Sequence, residues 1–242
     1  MKKSNFCVKS VRLLSLPSVY VAVFAMLFTF SSCSDDDDDD VDDDVDDDVD
    51  DSVSMADDGY EVSGTISGHY YVDLGLSVKW ADRNIGALSS SAYGDYFAWG
   101  ETETKDSYTS DNSVTYCVNM DDISGNAEYD AATANWGSKW RMPTEDEFEE
   151  LEEKCSWVWT SRNGFNGYLV TGPNTNSIFL PAAGDRFWTS LCDAGSHGNY
   201  WSSTPYGSDT DYAYILFFDS SDHYVHKYNR YNGPTVRPVS DY

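Results

Sequence analysis

The side chains with most capacity for chemistry crowd into two stretches. Glu145–Glu153 holds seven carboxylates, and residues 200–242 hold eight tyrosines among Asp, Ser, Asn and His. Paired carboxylates can act as general acid and base. Here, however, Thr144 and Glu147 have capping-box spacing, and Phe148, Leu151 and Cys155 fall on one helical face at i, i+3 and i+7. The acidic row therefore reads as a solvated helix face with favourable charge near its N-terminus. His223 and His226 stand near Asp219 and Asp222, but on a strand i and i+3 point to opposite faces, so no joint zinc or copper site is expected. Cys117, Cys155 and Cys192 are too sparse for a zinc cluster. An extracytoplasmic setting permits one disulfide and leaves one thiol over, with the pairing open; Cys155 reads as a buried thiol. The chain has no G-x-S-x-G, H-E-x-x-H, P-loop or dinucleotide fingerprint. No catalytic residue, metal or cofactor is expected, and the chain does not read as an enzyme.

The tyrosine-rich stretch suits recognition. Tyrosine offers rigid amphipathic area, and small polar residues adapt their hydrogen bonds around it. On the strand expected at Tyr212–Phe218, the residues Tyr212, Tyr214, Leu216 and Phe218 share one face, while Ala213, Ile215 and Phe217 share the other. Both faces are apolar enough that some aromatics must be core, so the tyrosines divide between core and surface. The expected ligand face comprises Tyr206, Tyr224, Tyr228 and Tyr231 with Asp209, Asp211, Asp222, His223, His226 and Asn229.

These residues need a scaffold, and the sequence outlines one. A helix begins at Glu145, and a shorter one spans Glu128–Asn135 and stops at Gly137. Gly167–Thr171 and Ser177–Pro181 flank Gly-Pro-Asn-Thr-Asn as a hairpin. Tyr212–Phe218 and His223–Tyr228 flank Asp-Ser-Ser-Asp as another. Tyr70–Trp80 reads as an opening strand and Thr235–Val239 as a closing one. Few helices and many short strands imply an α+β domain over 59–242.

Charge divides the chain further. The formal total is −27. Residues 1–34 carry four basic and no acidic side chains, residues 35–58 carry 16 aspartates and no basic ones, and the rest carries 26 acidic against 11 basic. Sequence-independent binding to nucleic acid needs Lys and Arg to neutralise phosphates, so that class is disfavoured, as is charge-driven attachment to anionic membranes; no nucleic-acid partner is expected. Lys2, Lys3, Lys9 and Arg12 precede the apolar run Val19–Phe30, as in a signal peptide. Phe30-Ser-Ser-Cys33 resembles a bacterial lipobox, which implies cleavage before Cys33 and lipidation of its thiol over a signal peptide of residues 1–32. The alternative is an uncleaved anchor helix starting near Leu13; both readings place the chain beyond Cys33 outside the cytoplasm. Removing the leader would take the chain to −31. Residues 33–58 then form the lipidated cysteine and an Asp-rich linker that repels itself and buries almost nothing, hence disordered. Its 25 residues from 34 to 58 span at most roughly 80–90 Å. Calcium binding by the tract is the rival reading, though no glycine turn organises the carboxylates. Acidic residues directly after the lipidated cysteine resemble the lipoprotein export signal of Bacteroidota, which implies the outer cell surface.

Several motifs resemble one family. Val72-Asp-Leu-Gly-Leu-Ser-Val-Lys-Trp80 and Tyr93-Gly-Asp-Tyr-Phe-Ala-Trp-Gly-Glu-Thr102 are similar to the opening of the Fibrobacter succinogenes major paralogous (FISUMP) domain. Trp136-Gly137, Trp140-Arg-Met-Pro-Thr144, Asn176-Ser-Ile-Phe-Leu-Pro-Ala-Ala-Gly184, Tyr200-Trp-Ser-Ser-Thr204 and Val236-Arg-Pro-Val239 continue it in order. The resemblance implies a C-type-lectin-like fold related to sulfatase-modifying-factor domains, with Trp140, Trp201 and Arg237 in the structural framework. The sulfatase-modifying enzymes' C-terminal cysteine pair has no counterpart after Cys192. Gly172-Pro-Asn174 lies in the wrong context for a calcium-dependent lectin site, and Trp-Asn-Asp is absent. Variable proteins of diversity-generating retroelements also use this fold and diversify a C-terminal patch at asparagine-type codons. From Tyr206 to Asn232 there is no Glu, Gln, Trp or Met, as that mechanism requires, although Lys227 and Arg230 show that not every position is such a site. An ordinary tyrosine-rich sheet gives the same composition.

Together these readings describe an outer-membrane lipoprotein held to the membrane by a lipid anchor and exposed at the cell surface, whose domain recognises a glycan or protein in adhesion or binding. Two other classes stay open: an extracytoplasmic enzyme acting on glycans through paired carboxylates, and a structural or fimbria-like surface component.

Overall fold

The computed structural model describes residues 54–55 and 61–242. The leader, Cys33 and the Asp-rich run lie outside the described residues. Strand β1 (Ser54–Met55) pairs antiparallel with β2 (Glu61–Val62), so a short ladder falls inside the stretch expected to be linker up to residue 58. The order continues with β3 (Gly64–Ile66), β4 (His69–Val72), β5 (Lys79–Ala81), α1 (Ala131–Trp136), α2 (Glu145–Lys154), β6 (Ser156–Arg162), β7 (Phe165–Thr171) and β8 (Ser177–Pro181). It closes with β9 (Asp185–Phe187), β10 (Ser190–Cys192), β11 (Gly198–Pro205), β12 (Tyr212–Phe218), β13 (His223–Asn229) and β14 (Val239–Ser240). This is an α+β architecture dominated by small sheets of mostly antiparallel strands. Three sheets carry the domain, in the orders β14-β5-β4-β3, β6-β7-β8 and β11-β12-β13.

Helix α2 starts where the sequence places it. Thr144 Oγ1 accepts from Glu147 N, and the Glu147 carboxylate accepts from Thr144 N, so the box is reciprocal. Phe148 and Leu151 are buried, and the helix packs across β11, β12 and β13. Helix α1 is shorter than expected at its start, because buried Asp130 takes the cap position and accepts from the amides of Ala132 and Thr133. Gly137 ends it, at φ 90°.

The expected opening strand is two strands. At its middle Asp73 Oδ1 accepts from Gly75 N, and Gly75 adopts φ 73°, turning the chain between β4 and β5. The expected closing strand contracts to β14, since Pro234 and Pro238 have no N–H to offer a ladder. Thr235 instead bridges Tyr200 in parallel fashion. Both anticipated hairpins form, as β7–β8 and β12–β13. Strands β6 and β11 were not anticipated.

The β11-β12-β13 sheet separates two apolar clusters. Tyr200, Leu216 and Phe218 join Trp80, Phe148, Leu151, Tyr168 and Val239 on one side. Trp201, Ala213 and Ile215 join Phe97, Trp99, Met142 and Val236 on the other. Trp140, Trp201 and Arg237 are fully buried, as a framework role requires. Indole N–H groups satisfy distant backbone: Trp99 donates to Ser202 O, Trp201 to Phe97 O and Trp140 to Ile66 O. Arg237 donates to Asn84 Oδ1 and to the carbonyls of Ala81, Asp82 and Phe179, joining three chain segments.

Cys155 and Cys192 are free thiols, so no disulfide joins any two of Cys117, Cys155 and Cys192. Cys155 is half-buried at the end of α2, and burial pushes its thiol up to about 11.

Candidate functional site

Alternation along β12 and β13 sorts the tyrosine-rich stretch. In the observed register Ala213 faces Tyr228, Ile215 faces His226, and Phe217 faces Tyr224. Since residues two apart share a side, these six lie on one face of the sheet. Both β11 and β13 are edge strands of this sheet, but β11 is largely buried while β13 is partly open to solvent. The result is a strip of rings. Phe217 stands 5.2 Å from Tyr224 and 5.7 Å from His226, Tyr224 stands 5.2 Å from His226, and His226 stands 6.2 Å from Tyr228. Tyr228 connects the strip to buried Trp201, 6.2 Å away, and Phe217 connects it to His197, 5.6 Å away. Tyr224 is its most exposed member, at 41%.

The buried end of the strip is anchored by β9. Gly184 adopts φ 65°, and a Cβ there would sit 2.0 Å from the carbonyl oxygen of Cys192, so only glycine lets the β9–β10 hairpin close this tightly. Asp185 follows it and is buried, accepting a 3.0 Å hydrogen bond from the Tyr228 hydroxyl. Burial pushes the Asp185 carboxyl up to about 6, against the lowering effect of the Tyr228 bond. Burial also lowers His226 below its ordinary value, so its ring is uncharged near neutrality, and raises Tyr228. At the other end Asp193 Oδ1 lies 3.8 Å from His197 Nδ1. The strip thus offers apolar and π surface flanked by acceptors, an arrangement suited to binding.

The other expected ligand residues fall elsewhere. His223 points to the opposite face of the sheet, stacked on Trp157 at 4.3 Å, so it does not join His226. Asp222 is exposed and accepts from His223 N. Tyr206, Asp209, Asp211, Asn229 and Tyr231 gather at the far ends of β12 and β13. There Lys227 Nζ sits 4.6 Å from the Tyr206 ring and 4.7 Å from the Tyr212 ring. Tyr231 packs edge-on against Tyr116, whose hydroxyl donates to Asp211. Asp209 accepts from Asp211 N within its own turn. The single ligand face expected from the sequence is therefore three groups, of which only Tyr224, His226 and Tyr228 form the strip.

Phe217, Asp185, His197 and Trp201 belong to the strip or its ends and were missed as site residues. Phe217 was legible in principle, since it alternates with Ala213 and Ile215. Asp185 and His197 come from distant chain and carry no sequence signal. Among the described residues no group of three or more His, Cys, Asp or Glu is placed to hold a metal ion, and no helix is long and apolar enough to cross a membrane. No protein-family model, no curated protein and no solved structure matches the chain.

Proposed function

We propose that this chain is a surface lipoprotein whose C-terminal domain recognises a glycan or protein through the aromatic strip on β12 and β13. The observation that carries the reading is the run Phe217, Tyr224, His226 and Tyr228, placed side by side on the adjacent strands β12 and β13 with Tyr224 open to solvent. Rings held in a row by a sheet have little conformational freedom to lose on binding, which favours contact with sugar faces or peptide groups. In this reading Cys33 carries the lipid, the Asp-rich linker is a spacer, and the outer membrane is the platform.

The finer fold reading is a C-type-lectin-like domain. Supporting it are the pairing of the last strand, β14, with β5 near the domain's start, and the capped helix lying across the three-stranded sheet. The buried Trp140, Trp201 and Arg237 fit the framework that the resemblance implies. A diversified face would centre on the same residues, and comparison of sibling gene copies tests it: substitutions spread evenly over the domain would sink it.

A broad glycan and protein array probed with the full chain tests recognition. Tyr224→Ala and His226→Ala should abolish whatever binding is found; binding indifferent to both rejects the strip. Incorporation of labelled fatty acid, lost in Cys33→Ser, tests the anchor.

One observation favours the enzyme reading. Asp185 is a buried carboxyl pushed up to about 6 and influenced by Asp193, the environment of a general acid. Hydrolysis of aryl glycosides that disappears in Asp185→Asn would favour catalysis over recognition.

A further inference from the structure

Strand β9 presents different side chains on its two faces. Asp185 meets the aromatic strip, while Arg186 turns into a cleft of about 390 Å³ that it lines with Asp95, Asp106, Thr189, Tyr96 and Tyr108. That volume lies within the range of small-molecule sites, roughly 300–1,000 Å³. Part of the lining is already committed. Tyr96 and Tyr108 donate their hydroxyls to the carbonyls of Ala183 and Tyr96, and Lys105, also on the wall, is paired with Glu101. Three groups are not. The Arg186 guanidinium rests 5.4 Å from the Tyr96 ring centre, and among the described residues it has no hydrogen bond or ion pair. The carboxylates of Asp95 and Asp106 are likewise without partners there.

The rim adds an independent observation. Trp188 and Thr189 form the two-residue turn between β9 and β10, closed by the pair Phe187 and Ser190. Trp188 adopts φ 54° and is 60% exposed. The first position of such a turn favours glycine, and a bulky residue with positive φ is a true outlier. Strain of this kind persists mainly where the side chain has work to do. The Trp188 backbone exchanges two hydrogen bonds with Tyr108, which fastens this turn to a residue of the cleft wall.

We propose that this cleft binds a carboxylate-bearing sugar, such as a uronic acid. The free guanidinium fork matches one carboxylate in bidentate fashion. Asp95 and Asp106 accept hydrogen bonds from ring hydroxyls, and the exposed Trp188 ring covers an apolar sugar face. The surplus of carboxylates around one arginine disfavours a bare anion or a dianion. A ligand with a single acid group and several hydroxyl donors satisfies all three unpaired groups. An amino-acid zwitterion would pair the charges but leave Trp188 unused.

Titration calorimetry of the full chain with D-glucuronate, D-glucose, acetate and glycine tests this. Glucuronate should bind, with the other three weaker by roughly tenfold or more. Arg186→Gln should weaken glucuronate roughly tenfold, and Asp106→Asn and Trp188→Gly should each weaken it several-fold. Asp106 is exposed and makes no contact that folding needs, so Asp106→Asn decides the matter if Arg186→Gln fails to fold. Equal affinity for glucose, acetate or glycine would overturn the proposal. So would no binding of glucuronate at millimolar concentration, or binding unmoved by both Arg186→Gln and Asp106→Asn. Tyr224→Ala must leave glucuronate binding unchanged, so this cleft and the aromatic strip stand or fall separately; loss in that variant would move the ligand to the strip and overturn the assignment.

Discussion

The Tyr228 hydroxyl donates a 3.0 Å hydrogen bond to Asp185 Oδ2, fastening edge strand β13 to the β9–β10 hairpin. Tyr228→Phe should cost about 1–2 kcal/mol in urea unfolding, because it leaves a buried carboxyl without its donor. Tyr228→Phe in an Asp185→Asn background should cost less, since the two residues act as a pair. Strictly additive losses would show that the bond contributes little.

Acidity should reveal Asp185. Its folded value, about 6, is raised above the ordinary 3.8, so between those two pH values the folded chain holds a proton that the unfolded chain has released. That difference adds stability as pH falls from about 6 towards 4 and withdraws it as pH rises through 6. Asp193, His197 and Tyr228 are the charged or titratable groups acting on it. The stability of wild type relative to Asp185→Asn should therefore improve on acidification, by up to ~3 kcal/mol. A difference that is flat across this window refutes the assignment.

Trp188→Gly should stabilise the fold by about 1 kcal/mol, since glycine occupies positive φ without the penalty of a side chain and the exposed indole loses little burial. A thermal melt with an unchanged or lower midpoint would show that the turn is not strained.

Arg237→Met removes a buried cation bonded to three backbone carbonyls and one amide oxygen. Several buried acceptors would lose their donor at once, so a loss above ~3 kcal/mol is expected despite the apolar replacement. A variant that melts within a few degrees of wild type would contradict this.

The sequence was most informative where a local rule acts alone. The Thr144 and Glu147 box, the glycine ending α1 and the two hairpins each arise from a few neighbouring residues. The breaks at Gly75, Pro234 and Pro238 shortened the opening and closing strands, since one turn residue or missing N–H outweighs a run of β-forming side chains. The site was harder to read. Composition located the tyrosines, yet tyrosine alone does not say which face it takes: Tyr200 is core, Tyr206 rests by Lys227, and Tyr224 is open. His223 and His226 diverge as strand alternation requires. Asp185, Trp188 and His197 reach their places only through pairing of distant strands.

The union of β14 with β5 has a bearing on how the chain comes to be folded. Val239 lies opposite Trp80, about 160 residues away along the chain, so closing this sheet is among the most non-local steps the domain takes. A chain delivered from its N-terminus cannot complete that step until Val239 and Ser240 have emerged. Until then Trp80, Phe148 and Leu151 wait with part of their shared cluster unsealed, open to association with other chains. Closure of this sheet consequently waits until β14 is available. A truncation of a few C-terminal residues would harm assembly far beyond the small area those residues cover.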